Sequence, residues 1–211
     1  LIVNRLGAMA RDFELSINGL FEKLKKQKFN IPKDATDDET LQQEISKLYT
    51  LDNEFKSAEI SILEAFSIFP ASPLALDLCK EWLSKDAGVE PEECARVLAG
   101  LAKKTWLVRH KTEGSDIPMY YMHQVVSAAV KGQRTINSSV HIGLVDACTK
   151  ALKRNTKNFT FALNVQIIPF AIDIFGGINE NNVQALSLSD GIGRFYEESA
   201  VYSIALQWRY K

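Results

Sequence analysis

The sequence predicts a mainly α-helical protein with one short β-hairpin in its middle. Apolar residues recur at helical spacing over most of the 211 residues, and Pro or Gly separates the runs. Two short runs rich in β-branched and aromatic residues, 105–110 and 117–122, flank a polar turn and favour strands. With 46% hydrophobic residues, 24% charged residues and a net charge of -1, the composition is that of an ordinary soluble globular protein, and it shows no bias toward nucleic acid or anionic lipid.

The N-terminal segment, residues 1–37, is predicted to hold two short helices followed by a linker. Apolar residues repeat at helical spacing in 1–13 and again in 17–24, whereas 30–38 is polar and contains a proline, so we place a domain boundary near Asp37. The chain begins inside an apolar helical pattern without a polar leader, and we therefore expect it to be a piece of a longer protein. On that expectation, the first two helices expose apolar surface or bury it against another molecule.

Residues 38–134 are predicted to form a second domain, in which helices precede the hairpin. The predicted order is helices over 40–51, 57–69, 73–83 and 91–104, the two strands, and a helix over 125–131. Pro70 stops the second helix, while Pro73 and Pro91 suit first turns, because a first-turn residue does not need the N–H that proline lacks. Helices followed by a two-stranded wing are typical of a winged helix-turn-helix.

Residues 135–211 are predicted to be helical to the end and to stack as antiparallel helix pairs. The predicted helices cover 140–152, 161–175, 180–188 with a continuation toward Tyr196, and 200–210. Between 192 and 206, small, aromatic and alanine residues have a spacing that resembles a tetratricopeptide repeat. The region is therefore predicted to be a helical array that binds a partner.

The repeat-like segment makes specific packing predictions. Gly193 lets two helices approach closely, and Ala205 permits a tight crossing. Tyr196 and Tyr202 fill the space between those helices. Arg209 stands where the repeat usually has an aromatic residue, so the match to the repeat is partial.

Catalytic and metal-binding patterns are missing from the sequence. His110, His123 and His141 fall in different predicted elements without metal-ligand spacing, and no nucleophile and base are paired in a known motif. No G-x-x-x-x-G-K-[ST] sequence occurs, and Gly191-Ile192-Gly193 is better explained by helix packing than by phosphate binding. We therefore expect no metal, no catalytic residue and no nucleotide hydrolysis in these residues by themselves.

The three cysteines point to the compartment. Cys79, Cys94 and Cys148 are an odd number of isolated residues, without disulfide or metal-ligand spacing. Such thiols are expected to be small core residues in a reducing compartment. We predict a cytoplasmic protein without a membrane span, since the most apolar stretch, 159–177, is interrupted by polar residues and a proline.

The best candidate site is the tripeptide Met122-His123-Gln124, at the junction between the second predicted strand and the helix that follows it. The first N–H groups of a helix have no intrahelical partner and carry the positive end of the helix dipole. An imidazole beside them makes a plausible phosphate site. We expect His123 to be the phosphate contact and Met122 and Gln124 to support it.

The order of elements up to residue 131, together with Met122-His123-Gln124, resembles the NB-ARC class of STAND NTPases. In that family a winged-helix subdomain carries a Met-His-Asp motif, whose His contacts the β-phosphate of bound ADP and holds the protein closed. The resemblance implies that His123 binds the phosphate of ADP or ATP in a full-length parent, on a nucleotide domain that precedes Leu1 in the same chain, and that no nucleotide binds this fragment unaided. Gln124 stands where the family has Asp, which puts the strength of the closed state in question.

Two other functions remain open. A winged helix can instead read DNA, as a transcription regulator fused to a helical partner-binding region, but the predicted helix over 91–104 begins with Glu92 and Glu93 and places Lys103 and Lys104 only at its end. This charge pattern disfavours nucleic acid as a partner. A purely scaffolding helical-repeat protein is the third possibility, and it predicts a continuous solenoid without a hairpin near 106–122.

Overall fold

The computed structural model describes residues 5–8, 11, 19, 22, 47–51, 55–111, 116–136, 141–157, 163–177 and 183–209. Over these residues the protein is mainly helical, with one small antiparallel sheet of three strands. The predicted fold class is confirmed at this level. The observed hairpin also contradicts the continuous solenoid of the scaffold hypothesis.

The elements fall into two groups along the chain. In order they are α1 Ser57–Ile68, β1 Leu74–Ala75, α2 Leu76–Ala87, α3 Pro91–Lys103, β2 Val108–Lys111, β3 Pro118–Tyr121, α4 Gln124–Gln133, α5 Ile142–Lys157, α6 Asn164–Gly176, α7 Val183–Glu198 and α8 Tyr202–Arg209. We call residues 57–133 the helix–strand unit and residues 142–209 the helical array. Most of the predicted first segment, with its linker and the boundary at Asp37, lies outside the described residues.

The sheet contains a strand that the sequence did not predict. Its strand order is β1-β3-β2, and β1 pairs with β3 through Leu74 opposite Tyr120 and Ala75 opposite Met119. The prediction of a helix beginning at Pro73 was therefore wrong, because Leu74 and Ala75 pair with a strand more than forty residues away and the helix begins only at Leu76. The hairpin strands β2 and β3 pair as predicted.

The helix ends in this unit follow proline and glycine chemistry. Pro91 occupies the first turn of α3, and α1 ends one residue before Phe69-Pro70, so both predictions are confirmed. Gly88 ends α2 in the left-handed conformation, with φ of 65°. Between these stops α2 and α3 pack against each other, and each also contacts the sheet.

The predicted helix over 40–51 is wrong at its C-terminal end, and its residues 40–46 lie outside the described residues. Lys47 and Leu48 form a turn, and the backbone from Tyr49 to Leu51 is irregular. The Gln133 side chain replaces the helical hydrogen bonds, because its Nε2 donates to the Tyr49 carbonyl at 2.7 Å and its Oε1 accepts from the Leu51 N–H at 2.7 Å. Tertiary bonds from α4 therefore hold this segment in a non-helical form.

A cluster of large rings forms the core of the helix–strand unit. Tyr49 and Trp106 are buried and meet edge to face, with ring centroids 5.2 Å apart. The buried Arg5 guanidinium lies over both rings, and it donates from Nε to the Leu48 carbonyl at 3.0 Å and from Nη1 to the Lys104 carbonyl at 2.7 Å. The helical residues 5–8 are thus tied to this core.

The helical array packs onto the helix–strand unit through α2 and α5. Within the array, α7 contacts α5, α6 and α8. Phe170 of α6 crosses the interface and lies edge to face with Phe69 at 5.4 Å and with Trp82 at 6.1 Å. One apolar core therefore runs from the first group into the second.

The packing around Gly193 matches the prediction for the small residues, and Tyr196 packs against the core as a partly buried residue. The prediction for Tyr202 was wrong. A Cβ at Gly193 would lie 3.3 Å from Arg209 Cγ and 3.5 Å from the Ala205 carbonyl, so α7 and α8 do approach closely there. Tyr202, however, is 63% exposed. It is the first residue of α8, about 120° around the helix from Trp208. The buried Trp208 faces α7 instead, with its Cβ 3.6 Å from the position of a Cβ at Gly193, and its ring packs on Phe175 of α6 with centroids 5.0 Å apart.

Candidate anion site at the start of α4

The predicted site residues stand at the turn between β3 and α4. Met122 is 2% exposed and packs in the core, so it anchors the turn between β3 and α4 to the interior of the protein. His123 is the N-cap of α4, with φ of -69° and ψ of 143°, and its ring is exposed. Gln124 is the first helical residue and is also exposed. The structure thus places one anchoring side chain and two accessible ones at the helix start.

The His123 ring has a defined hydrogen-bond role. Its Nδ1 accepts the backbone N–H of Val125 at 3.3 Å. A nitrogen that accepts cannot carry the proton, so the neutral ring bears its proton on Nε2. His123 therefore offers Nε2–H as a donor at the helix start, while its other nitrogen holds the ring in place.

The electrostatics of this helix end favour an anion. The first i to i−4 bond of α4 runs from the Ser127 N–H to the His123 carbonyl at 3.0 Å, so the N–H groups of Gln124, Val125 and Val126 have no intrahelical acceptor. The imidazole takes one of these. The first turn of α4, which is fully described, has no acidic residue to offset the positive end of the dipole.

A cleft of about 300 Å³ opens beside this helix start. Its walls come from the end of α1 and the outer face of α4: Phe69, Pro70, Ala71, Met122, Gln124, Ser127, Ala128 and Lys131. Met122 and Gln124 thus line one surface together with Lys131, whereas His123 is at the helix cap outside this lining. Ser127 is held in the wall by donating from Oγ to the Ser67 carbonyl at 3.0 Å.

The other two histidines lie elsewhere. His110 is exposed on β2. His141 is buried, with Nε2 at 3.8 Å from a Glu64 oxygen and Nδ1 at 4.0 Å from an Asp86 oxygen. Among the described residues, no group of three or more His, Cys, Asp or Glu side chains is arranged to hold a metal ion.

The three thiols are core residues, as predicted. Cys79, Cys94 and Cys148 are all fully buried. Burial raises the pKa of each thiol, to about 11 for Cys94, so the nucleophilic thiolate is disfavoured.

One polar site, at the start of α5, was not predicted from the sequence. Asp86 accepts the backbone N–H groups of Gly143 at 2.9 Å and Leu144 at 2.8 Å, although it comes from α2. One signal was present in the sequence. A carboxylate in the last turn of a helix interacts unfavourably with the negative end of that helix's dipole. Asp86, in the last turn of α2, is therefore expected to interact with a positive group or N–H donor outside α2.

No helix in the described part of the chain has the length and apolar character needed to cross a membrane. Comparison of the chain with protein-family models, with curated proteins and with solved structures gives no match.

Proposed function

We propose that residues 57–133 are a winged helix that senses a nucleotide in a STAND-type signalling NTPase of the NB-ARC kind. The elements follow one another in the order α1, β1, α2, α3, β2 and β3. Strands β2 and β3 form a two-stranded wing, and β3 also pairs with β1. This arrangement supports the winged-helix assignment. The observation that carries the functional proposal is the His123 cap. Its Nδ1 is engaged by Val125, and its Nε2–H is left to meet a phosphate oxygen.

His123 would bind the phosphate and would not perform chemistry. A neutral imidazole donor and two first-turn N–H groups, those of Gln124 and Val126, complement the charge of a diphosphate without forming or breaking a bond. In this proposal a nucleotide domain upstream in the same polypeptide supplies the P-loop, and ADP or ATP binds tightly only when both parts are present. Gln124 adds no carboxylate of its own beside that phosphate.

The array would receive the signal. We propose that α5 to α8 form a tetratricopeptide-like region that binds a protein or ligand, since Gly193 and Ala205 bring α7 and α8 together as in such repeats. A ligand that binds the array better in an open state shifts the equilibrium toward that state, and the contact of His123 with the phosphate opposes the shift.

The test is ADP release from the polypeptide that joins these residues to their nucleotide domain. A hydrogen bond to a charged group contributes about 1.5–3 kcal/mol, so His123→Ala should speed ADP release by roughly ten-fold or more. Release is measured by chasing a fluorescent ADP analogue with unlabelled ADP. His110→Ala removes another exposed imidazole, on β2, and serves as the matched control. Identical release rates for wild type and His123→Ala would rule out the phosphate contact.

DNA binding remains the second candidate, and one observation favours it. Arg109, His110 and Lys111 are all exposed on β2, which is an edge strand of the sheet. On α3 the charges are balanced, because Glu92 pairs with Lys80 and Glu93 with Arg96. Affinity for duplex DNA that falls steeply with salt, and that Arg109→Ala weakens, would place this function first.

A further inference from the structure

The N-terminus of α5 is capped by a side chain from the other group of elements. Asp86, near the end of α2, accepts the Gly143 N–H with Oδ1 at 2.9 Å and the Leu144 N–H with Oδ2 at 2.8 Å. Both N–H groups belong to the first turn of α5, where no intrahelical acceptor exists. A carboxylate at this position also complements the positive end of the α5 dipole. The helical array therefore has its first helix capped only while it is docked.

The chain makes room for this cap with a glycine. A Cβ at Gly143 would fall inside the contact distance of Asp86 Oδ1 and 2.9 Å from Asp86 Cγ. The same added carbon would lie 3.2 Å from Lys85 Cδ. Any side chain at residue 143 thus pushes the carboxylate away from the N–H groups that it binds.

Further ionisable side chains lie near the cap. The buried His141 ring lies between Asp86, at 4.0 Å, and Glu64 of α1, at 3.8 Å. Arg134, just after α4, approaches Glu64 at 3.9 Å. Side chains from α1 and α2 and from the residues that flank α4 and α5 therefore lie close together beside the cap.

Behind the polar cap lies the apolar part of the same interface. Trp82 and Phe69 of the helix–strand unit pack on Phe170 of α6. Trp82 is completely buried. The apolar contact contributes free energy mainly through the area that it buries, and its edge-to-face rings add a preferred orientation. The two hydrogen bonds of Asp86 add a second directional contact, at the start of α5.

We propose that the Asp86 carboxylate is a latch that fixes the angle of the helical array on the helix–strand unit. Gly143, which has no side chain, leaves room for that carboxylate. While Asp86 holds α5, the array and the unit move together. When the latch opens, both groups stay folded but the array reorients, and a partner that draws the start of α5 away from Asp86 would favour that state. The link from this latch to signalling rests on the proposed function, whereas the latch itself does not.

The test uses the 211-residue chain without nucleotide, so its failure is separate from failure of the phosphate contact. Spin labels at Arg96→Cys on α3 and Glu198→Cys on α7, both exposed, report the distance between the two groups by double electron–electron resonance. The native thiols are fully buried and will not compete for the label.

We expect a single narrow distance in the parent chain and a broader or shifted distribution in Asp86→Ala and in Gly143→Ala. Asp190→Ala removes a carboxylate that pairs with Arg194 inside α7, and it should leave the distribution unchanged. If Asp86→Ala loses its helical circular dichroism, the isosteric Asp86→Asn variant decides, because an amide oxygen replaces only one of the two acceptors. An unchanged narrow distance in Asp86→Asn and Gly143→Ala would overturn the proposal.

Discussion

The starts of α4 and α5 both have backbone N–H groups without intrahelical acceptors, but different side chains cap the two helices. Each helix follows a histidine, His123 or His141, and each begins with N–H groups that lack intrahelical acceptors. At α5 the Asp86 carboxylate, from α2, accepts two of these N–H groups, and His141 is buried beside that carboxylate. At α4 the histidine is exposed and caps its own helix with a longer hydrogen bond, of 3.3 Å.

This difference shows what a satisfied helix start looks like in this protein. Asp86 supplies charge and two short hydrogen bonds, so the start of α5 has no need of an external anion. The start of α4 has an imidazole, no first-turn acid and an adjacent cleft. The start of α4 is therefore open to an external anion, and we call it the open end. The start of α5 already has its anion in Asp86, and we call it the closed end.

The largest effect is expected from removing the carboxylate at the closed end. Asp86→Ala leaves two first-turn N–H groups without an acceptor, and hydrogen bonds to charged groups contribute about 1.5–3 kcal/mol. We predict a loss of roughly 2 kcal/mol in the free energy of unfolding, measured by urea denaturation. Asp190→Ala, at an exposed pair within α7, should change it by less than about 0.5 kcal/mol. Equal losses in the two variants would show that Asp86 is no more than a surface charge.

The next effect tests the glycine. Gly143→Ala displaces Asp86 and should cost about 1 kcal/mol, since the lost cap outweighs the better helix propensity of alanine. In the Asp86→Ala background the same change should become neutral or stabilising by up to about 1 kcal/mol, because only the propensity remains. Urea denaturation of all four chains measures this cycle. Additive losses would contradict the packing of residue 143 against Asp86.

A smaller effect is expected at the open end. His123→Ala removes one exposed N-cap acceptor with a long hydrogen bond, so we predict a loss of about 0.5 kcal/mol, at the lower end of the range for N-caps. The urea midpoint provides the measurement, and His110→Ala on β2 is the control. A loss as large as that of Asp86→Ala would mean that His123 has mainly a structural role.

The smallest effect compares the first residue of each helix. Gln124→Glu places a carboxylate at the unfilled end of the α4 dipole and should stabilise the protein by about 0.3–0.5 kcal/mol at low salt, less at high salt. Ile142→Glu, at the first residue of α5, which is also exposed, adds a second carboxylate near Asp86 and should give no gain. Thermal melting at two salt concentrations distinguishes these outcomes. Equal stabilisation at both helices would remove the distinction between them.

Local chemistry accounts for what could be predicted from the sequence. Pro70 and Pro91 act on their own helices, and only a few residues separate β2 from β3 along the chain, so the positions of these elements follow from neighbouring residues. The position of His123 at a helix start was likewise visible from the switch between strand and helix patterns.

Long-range partners account for what could not be predicted. The strand at Leu74 exists because Tyr120 pairs with it, and the non-helical backbone at Tyr49 is held by Gln133. The Asp86 cap joins residues 57 positions apart, and no local pattern encodes such a contact. The exposure of Tyr202 depends on how α8 is rotated against α7, which its own sequence leaves open.

The most direct test compares the two helix starts in one sample by ¹⁵N–¹H NMR, titrating the 211-residue chain with millimolar pyrophosphate as a probe for a diphosphate. We predict weak, saturable shifts of the Gln124 and Val126 amide signals that His123→Ala reduces, and no shift of the Gly143 and Leu144 signals, which Asp86 already binds. Unmoved Gln124 and Val126 signals, or equal shifts at both helix starts, would contradict the claim that α4 is open to an anion and α5 is closed.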